Sequence, residues 1–168
     1  MSYVTKETVW PSALALDDKV KALVTLFYEL ADNTGPEAGP RMANEVFTST
    51  GKFVASHAAF SGREEITRCR DNAWGDITAR NHRITHVFVN DKQGRDLVLL
   101  GVAKMDFATG KVVETDFGAH VVLEDVDGEP RVALMQVYAV SFFSPFAPRI
   151  NFSRGPDRPR RRSGILAN

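Results

Sequence analysis

Residues 53–66 read FVASHAAFSGREEI, and this stretch joins an extended segment to the start of a helix. Ser61 stands three residues before Glu64, which is the spacing of a capping box, in which the serine oxygen accepts the Glu64 N–H and the Glu64 carboxylate accepts the Ser61 N–H. Glu64 and Glu65 also lie where the helix dipole favours negative charge, so the cluster indicates a helix start rather than a catalytic site. One stripe at helical spacing follows, made of Ile66, Cys69, Arg70 and Ala73.

The composition is that of one globular domain with a basic end. The chain has 168 residues, 43% hydrophobic and 25% charged, and its formal net charge is zero. Residues 149–162 contain six arginines and one aspartate, so this tail carries +5 and the rest of the chain −5. No stacking platform or nucleic-acid-binding motif accompanies the arginines, and we expect a solvated end with no nucleic-acid partner.

The single cysteine and the first residues bear on the compartment. Cys69 has no second cysteine for an intrachain disulfide, and its place on the helix stripe predicts a packed thiol. The first ten residues, MSYVTKETVW, lack the apolar run of a signal peptide, and no segment is apolar for long enough to span a membrane. We therefore expect a soluble cytoplasmic protein.

Helices precede strands along the chain. Residues 1–16 read as an arm packed loosely on the body, and Asp17 or Asp18 caps a helix that runs to about Ala31. A loop rich in glycine and proline ends this helix, and residues 41–47 supply a second, short one. The buried stripe of the first helix comprises Val20, Leu23, Val24, Phe27, Leu30 and Ala31.

Four later segments have the composition of strands. They are NHRITHVFVN, DLVLLGVAKMDF, VVETDFGAHVVLED and RVALMQVYAVSFF, and turns at Gly94, Gly110 and Gly128 separate them. Consecutive strands with short connections predict an antiparallel meander. Helices first and a curved sheet afterwards predict an α+β domain with the helices packed on one face of the sheet.

The order of these elements resembles that of the nuclear transport factor 2-like superfamily. The resemblance rests on FYELAD near the end of the first helix, on EVFTSTG, on FVASHAAF leading to SGREEI, and on the H-x-I-x-x-V strand that begins at His82. It covers roughly residues 17–143 and is closest to the SnoaL-like branch, which contains polyketide cyclases, ketosteroid isomerases and scytalone dehydratase. It implies a cone in which a strongly curved, mainly antiparallel sheet and the helices on its concave face enclose a deep apolar pocket, followed by a tail over residues 144–168.

Period two predicts which side chains face inward. In the second and third strand segments the odd-numbered positions form the apolar set, so Asp116 and His120 face outward. These two stand about 13 Å apart along the strand and form no dyad. His82 and His86 are separated in the same way, and no other His, Asp or Glu completes a metal site, so we expect neither a metal nor another cofactor.

Two histidines are catalytic candidates through the resemblance. His82 resembles the histidine at the start of a scytalone dehydratase strand, which acts as a general acid or base; alternatively, its ring nitrogen only satisfies a buried carbonyl. The ketosteroid isomerase base lies shortly before the G-R-E-x-I motif, where this chain has Ser56 and His57. His57 is therefore a base or a loop histidine. Ala103 stands where the dehydratase has its second histidine.

Tyr28 and Asp32 lie four residues apart on one side of the first helix. The resemblance implies that this side lines the mouth of the pocket. Asp32 then orients His82 or takes a proton itself, or it caps the loop through an Asx-type turn with the two residues that follow it. The helix-one aspartate of scytalone dehydratase falls near Gly35 instead.

Apolar side chains complete the expected pocket and surfaces. We expect the substrate to contact Phe27, Phe60, Trp74, Phe88, Ala103, Met105, Phe117 and Tyr138. Phe146 and Phe152 of the tail are expected to cover the pocket or a dimer seam. A half-apolar outer sheet face predicts a homodimer, and it comprises Val98, Leu100, Val102, Val112 and Val122.

Two functions fit these residues. The first is a cofactor-independent enzyme of secondary metabolism that isomerises, cyclises or dehydrates an apolar, oxygenated polyketide- or terpenoid-like molecule by general acid–base catalysis. The second is a non-catalytic ligand-binding or dimerisation module of the same fold. Polar groups converging on a common void would favour the enzyme, and a filled cone would favour the module.

Overall fold

The computed structural model describes residues 2–55 and 58–139, and it confirms the α+β class. The elements are α1 (Asp18–Asp32), α2 (Ala38–Arg41), a π-helical turn (Met42–Val46), β1 (Phe47–Ala55), β2 (Ala58–Ser61), α3 (Gly62–Thr67), β3 (Ile77–Val89), β4 (Asp96–Phe107), β5 (Val112–Val126) and β6 (Glu129–Ala139). The sheet order is β2-β1-β6-β5-β4-β3, and only the β1–β6 pair is parallel among these strands. The sheet is curled but not closed, and the core lies between it and the helices.

Helix α1 begins and packs as its sequence predicts. The Asp17 carboxylate accepts the Lys19 backbone N–H at 2.9 Å, which satisfies one of the free donors of the first turn. Every residue of the predicted stripe is buried, and Tyr28 is buried with it. None of the described helices combines the length and the apolarity needed to cross a membrane.

The start and the length of α3 differ from the prediction. The Ser61 N–H donates to the carboxylate of Glu65 at 2.7 Å, not to that of Glu64, and the Ser61 side chain makes no capping bond. Gly62 is the first residue of the helix and has a φ of +73°, a conformation that glycine adopts readily. This φ changes the direction in which the chain passes from β2 into the first helical turn. The helix ends at Thr67 rather than near Trp74, because single turns closed by i to i+3 bonds replace it. Cys69 is a packed thiol as predicted.

The amino-terminal arm is bound tightly, and the prediction of loose packing is wrong. The Ile84 N–H donates to the Val4 carbonyl at 2.8 Å, and the Val87 N–H donates to the Val9 carbonyl at 3.1 Å. Val4 is fully buried. Strand β3 is the edge of the sheet, and the arm covers the N–H and C=O groups that an edge strand leaves unpaired.

The inward–outward alternation of strand β3 reverses in its middle, and one residue predicted to face the pocket therefore faces outward. The β3–β4 register shifts between Ile84 and His86. From Arg80 to this bulge the inward residues are the even-numbered ones, and after it Val87 is buried while Phe88 is 51% exposed. The prediction that Phe88 faces the interior is therefore wrong, because one extra residue reverses the alternation.

Strands β4 and β5 keep the predicted alternation. Their buried positions are odd-numbered, and Asp116 is exposed on the outer side. His120 also lies on that side, where its Nε2 is 2.9 Å from an Asp96 oxygen. Strand β6 places Tyr138 opposite Gly118 of the outward set, and Tyr138 is 58% exposed. Tyr138 is therefore not a wall of the interior.

Candidate functional site

Asp32 and His82 form a tight pair inside the cone. Asp32 Oδ1 lies 2.5 Å from His82 Nδ1, and Asp32 Oδ2 accepts the His82 backbone N–H at 2.7 Å. The carboxylate therefore holds both the ring and the backbone of His82. The Asp32 side chain keeps only 4% of its exposure and the His82 side chain 15%, so the carboxylate is sealed while the imidazole still reaches solvent.

The two residues meet because α1 ends where the inward row of β3 passes. Asp32 is the last residue of α1, one step beyond the buried stripe, and His82 alternates with Ile84 on the inward side of β3. Asn33, not Asp32, makes the Asx-type turn, since its Oδ1 accepts the Gly35 N–H at 2.6 Å. Asp32 is thereby left to bind His82.

The arm adds a contact to this pair that sequence reasoning missed. The Tyr3 hydroxyl donates to Asp32 Oδ2 at 3.1 Å. Burial, together with the Asp32 charge, raises the pKa of the Tyr3 phenol, so the group stays a hydrogen-bond donor. Nothing in the first sixteen residues signals this contact, because it depends on the arm pairing with β3.

Tyr28 lies beside the pair with its hydroxyl unused. Its ring centroid is 5.2 Å from that of His82 and 5.5 Å from that of Phe117. The hydroxyl is buried and has no hydrogen-bond partner among the described residues. Burial first, and then the Asp32 charge, raises the pKa of Tyr28, so the phenol is neutral and keeps a proton to donate.

The wall around His82 comes from β4 and β5. Ala103 and Phe117 belong to it, with Ala103 paired directly to His82 and the Phe117 ring edge-on to the imidazole at 5.4 Å. Gly101 makes room for this ring, because a Cβ there would stand 2.6 Å from Phe117 Cζ and 2.7 Å from a backbone oxygen. Met105 follows Ala103 on the same side of β4.

The other predicted site residues belong to neighbouring clusters. Phe27 is a core residue whose ring centroid lies 4.9 Å from that of Tyr28, and Phe60 stacks on Phe53 at 6.0 Å between ring centroids. Trp74 contacts Arg70 and Arg80. His57 and the proposed lid of residues 144–168 lie outside the described residues.

A pocket open to solvent lies elsewhere on the molecule. It measures about 550 Å³ and is formed between residues 9–14 of the arm and the end of β3, including Phe88 and Lys92. Asp32, His82 and Tyr28 do not line it. The pair therefore opens to solvent only through the exposed part of the imidazole.

Solved structures share this architecture at low sequence identity. No protein-family model and no curated protein matches the chain. A hexachlorocyclohexane dehydrochlorinase, LinA type 2, aligns with a TM-score of 0.59 at 10% identity over 79% of this chain and 94% of that one. ActVI-ORFA from Streptomyces coelicolor aligns with a TM-score of 0.58 at 18% identity, over 73% of this chain and 95% of that one. A nuclear transport factor 2-like protein of unknown function from Exiguobacterium aligns with a TM-score of 0.55 at 15% identity, over 70% of this chain and 98% of that one.

Identities of this size carry the fold and not the activity. The chain has the cone-shaped α+β fold of the nuclear transport factor 2-like superfamily.

Proposed function

We propose that this chain is an enzyme that transfers protons on a small apolar, oxygenated molecule, with His82 as general base and acid. The observation that carries the proposal is the 2.5 Å contact between a sealed carboxylate and an imidazole that still reaches solvent. Such a pair is the arrangement in which a histidine is oriented for proton transfer. The name of one structural neighbour, a hexachlorocyclohexane dehydrochlorinase, supports an enzymatic role for this fold.

The proposal includes an assignment of the protons. We place the Nδ1 proton between His82 and Asp32, because the carboxylate accepts it, and Nε2 is then the free base. Nε2 removes a proton from a carbon next to a carbonyl, and Asp32 stabilises the imidazolium that forms. The neutral Tyr28 phenol donates a hydrogen bond to the oxygen that gains charge.

The fate of the proton on Nε2 decides the reaction. Its return to another carbon completes an isomerisation or assists a ring closure, and its delivery to a departing hydroxyl completes a dehydration. Side chains supply every group that these steps need, so the scheme uses no cofactor. Apolar neighbours such as Phe117 and Ala103 suit a polyketide- or terpenoid-like ring.

Replacing His82 tests this proposal. The protein is incubated in D2O with a panel of small ketones, and each reaction is followed by NMR. The panel contains cyclic β-hydroxy ketones and β,γ-unsaturated ketones, each with and without a carboxylate. We expect the wild-type protein to exchange, isomerise or dehydrate a member of the panel, and His82→Gln to lower that rate by about 10²-fold or more. His86→Gln is the matched control, because His86 is an exposed histidine of the same strand. Equal rates in the wild type and His82→Gln would contradict the assignment.

A ligand-binding module is the second candidate, and the 550 Å³ cavity favours it. This cavity lies away from the pair, so a ligand bound there would not meet His82. In that case the wild type leaves the whole panel unchanged, and His82→Gln does not alter ligand affinity.

We further propose a homodimer through the outer face of the sheet. Val98, Leu100 and Val112 are exposed on that face, and Leu100, Gly118 and Tyr138 form one row across β4, β5 and β6. An apolar strip of this kind rarely stays in water on a monomer. Sedimentation at micromolar concentration should give twice the 18.6 kDa chain mass, and Leu100→Asp should shift it to the monomer. The control is Val126→Asp at the end of β5; a monomeric wild type would refute the dimer.

A further inference from the structure

Two arginines gather around Trp74 beside the candidate site. Arg80 Cζ lies 4.8 Å from the Trp74 ring centroid, and Arg70 Cζ lies 5.6 Å from it. Arg70 donates to the Ala31 carbonyl at 2.5 Å, and Arg80 donates to the Ala73 carbonyl at 2.6 Å. Each guanidinium thus uses one of its donor groups on a neutral backbone oxygen.

These two charges have no carboxylate of their own in residues 2–55 and 58–139. Asp32 is the carboxylate whose charge acts on both, but it lies beyond ion-pair distance and already binds His82 and Tyr3. Both arginines are half-buried, and the Arg70 Nε is a buried donor without a partner. Burial, with the neighbouring Arg70 charge, lowers the pKa of Arg80 to about 10, so the Arg80 guanidinium is still charged at neutral pH.

The local charge balance favours one bound anion. Two guanidiniums against one carboxylate leave a single positive charge in a partly desolvated place, where an unpaired charge is costly. A planar guanidinium with free N–H groups matches a carboxylate in a two-pronged arrangement.

The register of β3 relates this charge to the catalytic pair. Arg80 and His82 are two residues apart on the inward side of the strand, a separation of about 7 Å. Met105 faces Arg80 and Ala103 faces His82 across the β3–β4 ladder. A molecule held by an anionic group at Arg80 would therefore extend along an apolar wall toward His82 Nε2.

We propose that Arg80, supported by Arg70 and Trp74, binds a carboxylate of the substrate, so that the enzyme acts on a small apolar carboxylic acid. This inference rests on the proposed function for its catalytic part, and it names the substrate class of the same site. A single carboxylate fits the single excess charge.

Matched acids and amides test the carboxylate site without requiring turnover. Titration calorimetry at pH 7.5 compares benzoate with benzamide, phenylacetate with phenylacetamide, and 1-naphthylacetate with 1-naphthylacetamide. We expect the wild type to bind at least one acid about 10-fold or more tightly than its amide, since a charge-assisted bond to a guanidinium is lost with the amide. Arg80→Gln should abolish this preference, and Arg80→Lys, which keeps the charge but not the planar fork, should weaken it.

Arg83→Gln is the control, because Arg83 is the exposed arginine of β3 that pairs with Glu114 at 3.2 Å. It should keep the acid preference in full. Equal affinity for each acid and its amide, binding of none of the six compounds, or an acid preference that survives in Arg80→Gln would overturn the carboxylate site. If the carboxylate site is overturned in this way but the protein turns over neutral ketones, the proposed function still stands. Acid preference in a protein that turns over nothing would support the anion site and refute the proposed function.

Discussion

Replacement of Asp32 by asparagine is expected to lower proton-transfer turnover by about 10²–10⁴-fold, because an amide no longer fixes the proton on His82 Nδ1 or stabilises the imidazolium. Asp32→Ala should lower turnover by the same factor, and it should also lower the free energy of unfolding by about 3 kcal/mol. The alanine leaves the partly buried His82 backbone N–H without its acceptor, and it also removes the acceptor of the exposed Tyr3 hydroxyl. Turnover of the active panel compound and urea denaturation measure the two effects.

Two comparisons separate the roles of Asp32. Tyr3→Phe removes one of its three hydrogen bonds and should cost about 1 kcal/mol while leaving turnover nearly unchanged. Asp18→Asn alters an exposed carboxylate of the same helix and should change neither quantity by a measurable amount. Full activity in Asp32→Asn would show that Asp32 holds the strand and the helix together without orienting His82 for chemistry.

The second large effect is expected at Phe27, in the core. Phe27→Ala should lower the free energy of unfolding by about 3–5 kcal/mol, because it leaves a cavity among well-packed rings. Phe27 is 2% exposed, and its ring centroid lies 4.9 Å from that of Tyr28 and 5.5 Å from that of Phe53. Urea denaturation of the purified variant, compared with the wild type, measures the loss.

Phe88→Ala is the matched control for Phe27. It removes the same side chain from a position that the β3 bulge turns to the surface, and it should cost about 0.5 kcal/mol or less. A loss at Phe88 as large as that at Phe27 would mean that the bulge is misplaced and that Phe88 packs inside. A negligible loss at Phe27 would mean that the aromatic cluster does not hold α1 to β1.

Local patterns in the sequence predicted the elements and much of their facing. Asp17 before an apolar stripe was enough to predict α1, because capping and burial of a helix face depend on residues within a few turns. Alternation on β4 and β5 predicted that Asp116 and His120 face outward for the same reason. His82 lies inward as predicted, since it precedes the bulge.

The sequence pattern gave wrong predictions where a single residue alters the regular repeat of a strand or the start of a helix. The bulge after Ile84 exposes Phe88, and the positive φ of Gly62 accompanies a helix start at which Glu65, not Glu64, holds the Ser61 N–H. Sequence alternation counts residues and has no means of registering an insertion in the ladder. The prediction that Tyr138 contacts the substrate failed for a related reason, because the facing of Tyr138 depends on the register of β6 against β5.

The candidate site itself was decided by tertiary structure. Sequence named Asp32 and His82 and left open whether they meet; fifty residues separate them, and only the packing of α1 on β3 brings their atoms to 2.5 Å. Tyr3 joins them because the arm covers a sheet edge, and Arg80 faces Trp74 because turns after a shortened α3 carry the indole to β3. Sequence patterns determined α1, the strands β3 to β6 and the outward facing of Asp116 and His120, because these follow from contacts between near neighbours. Tertiary structure decided which charged groups share a partner, because that depends on where distant elements cross.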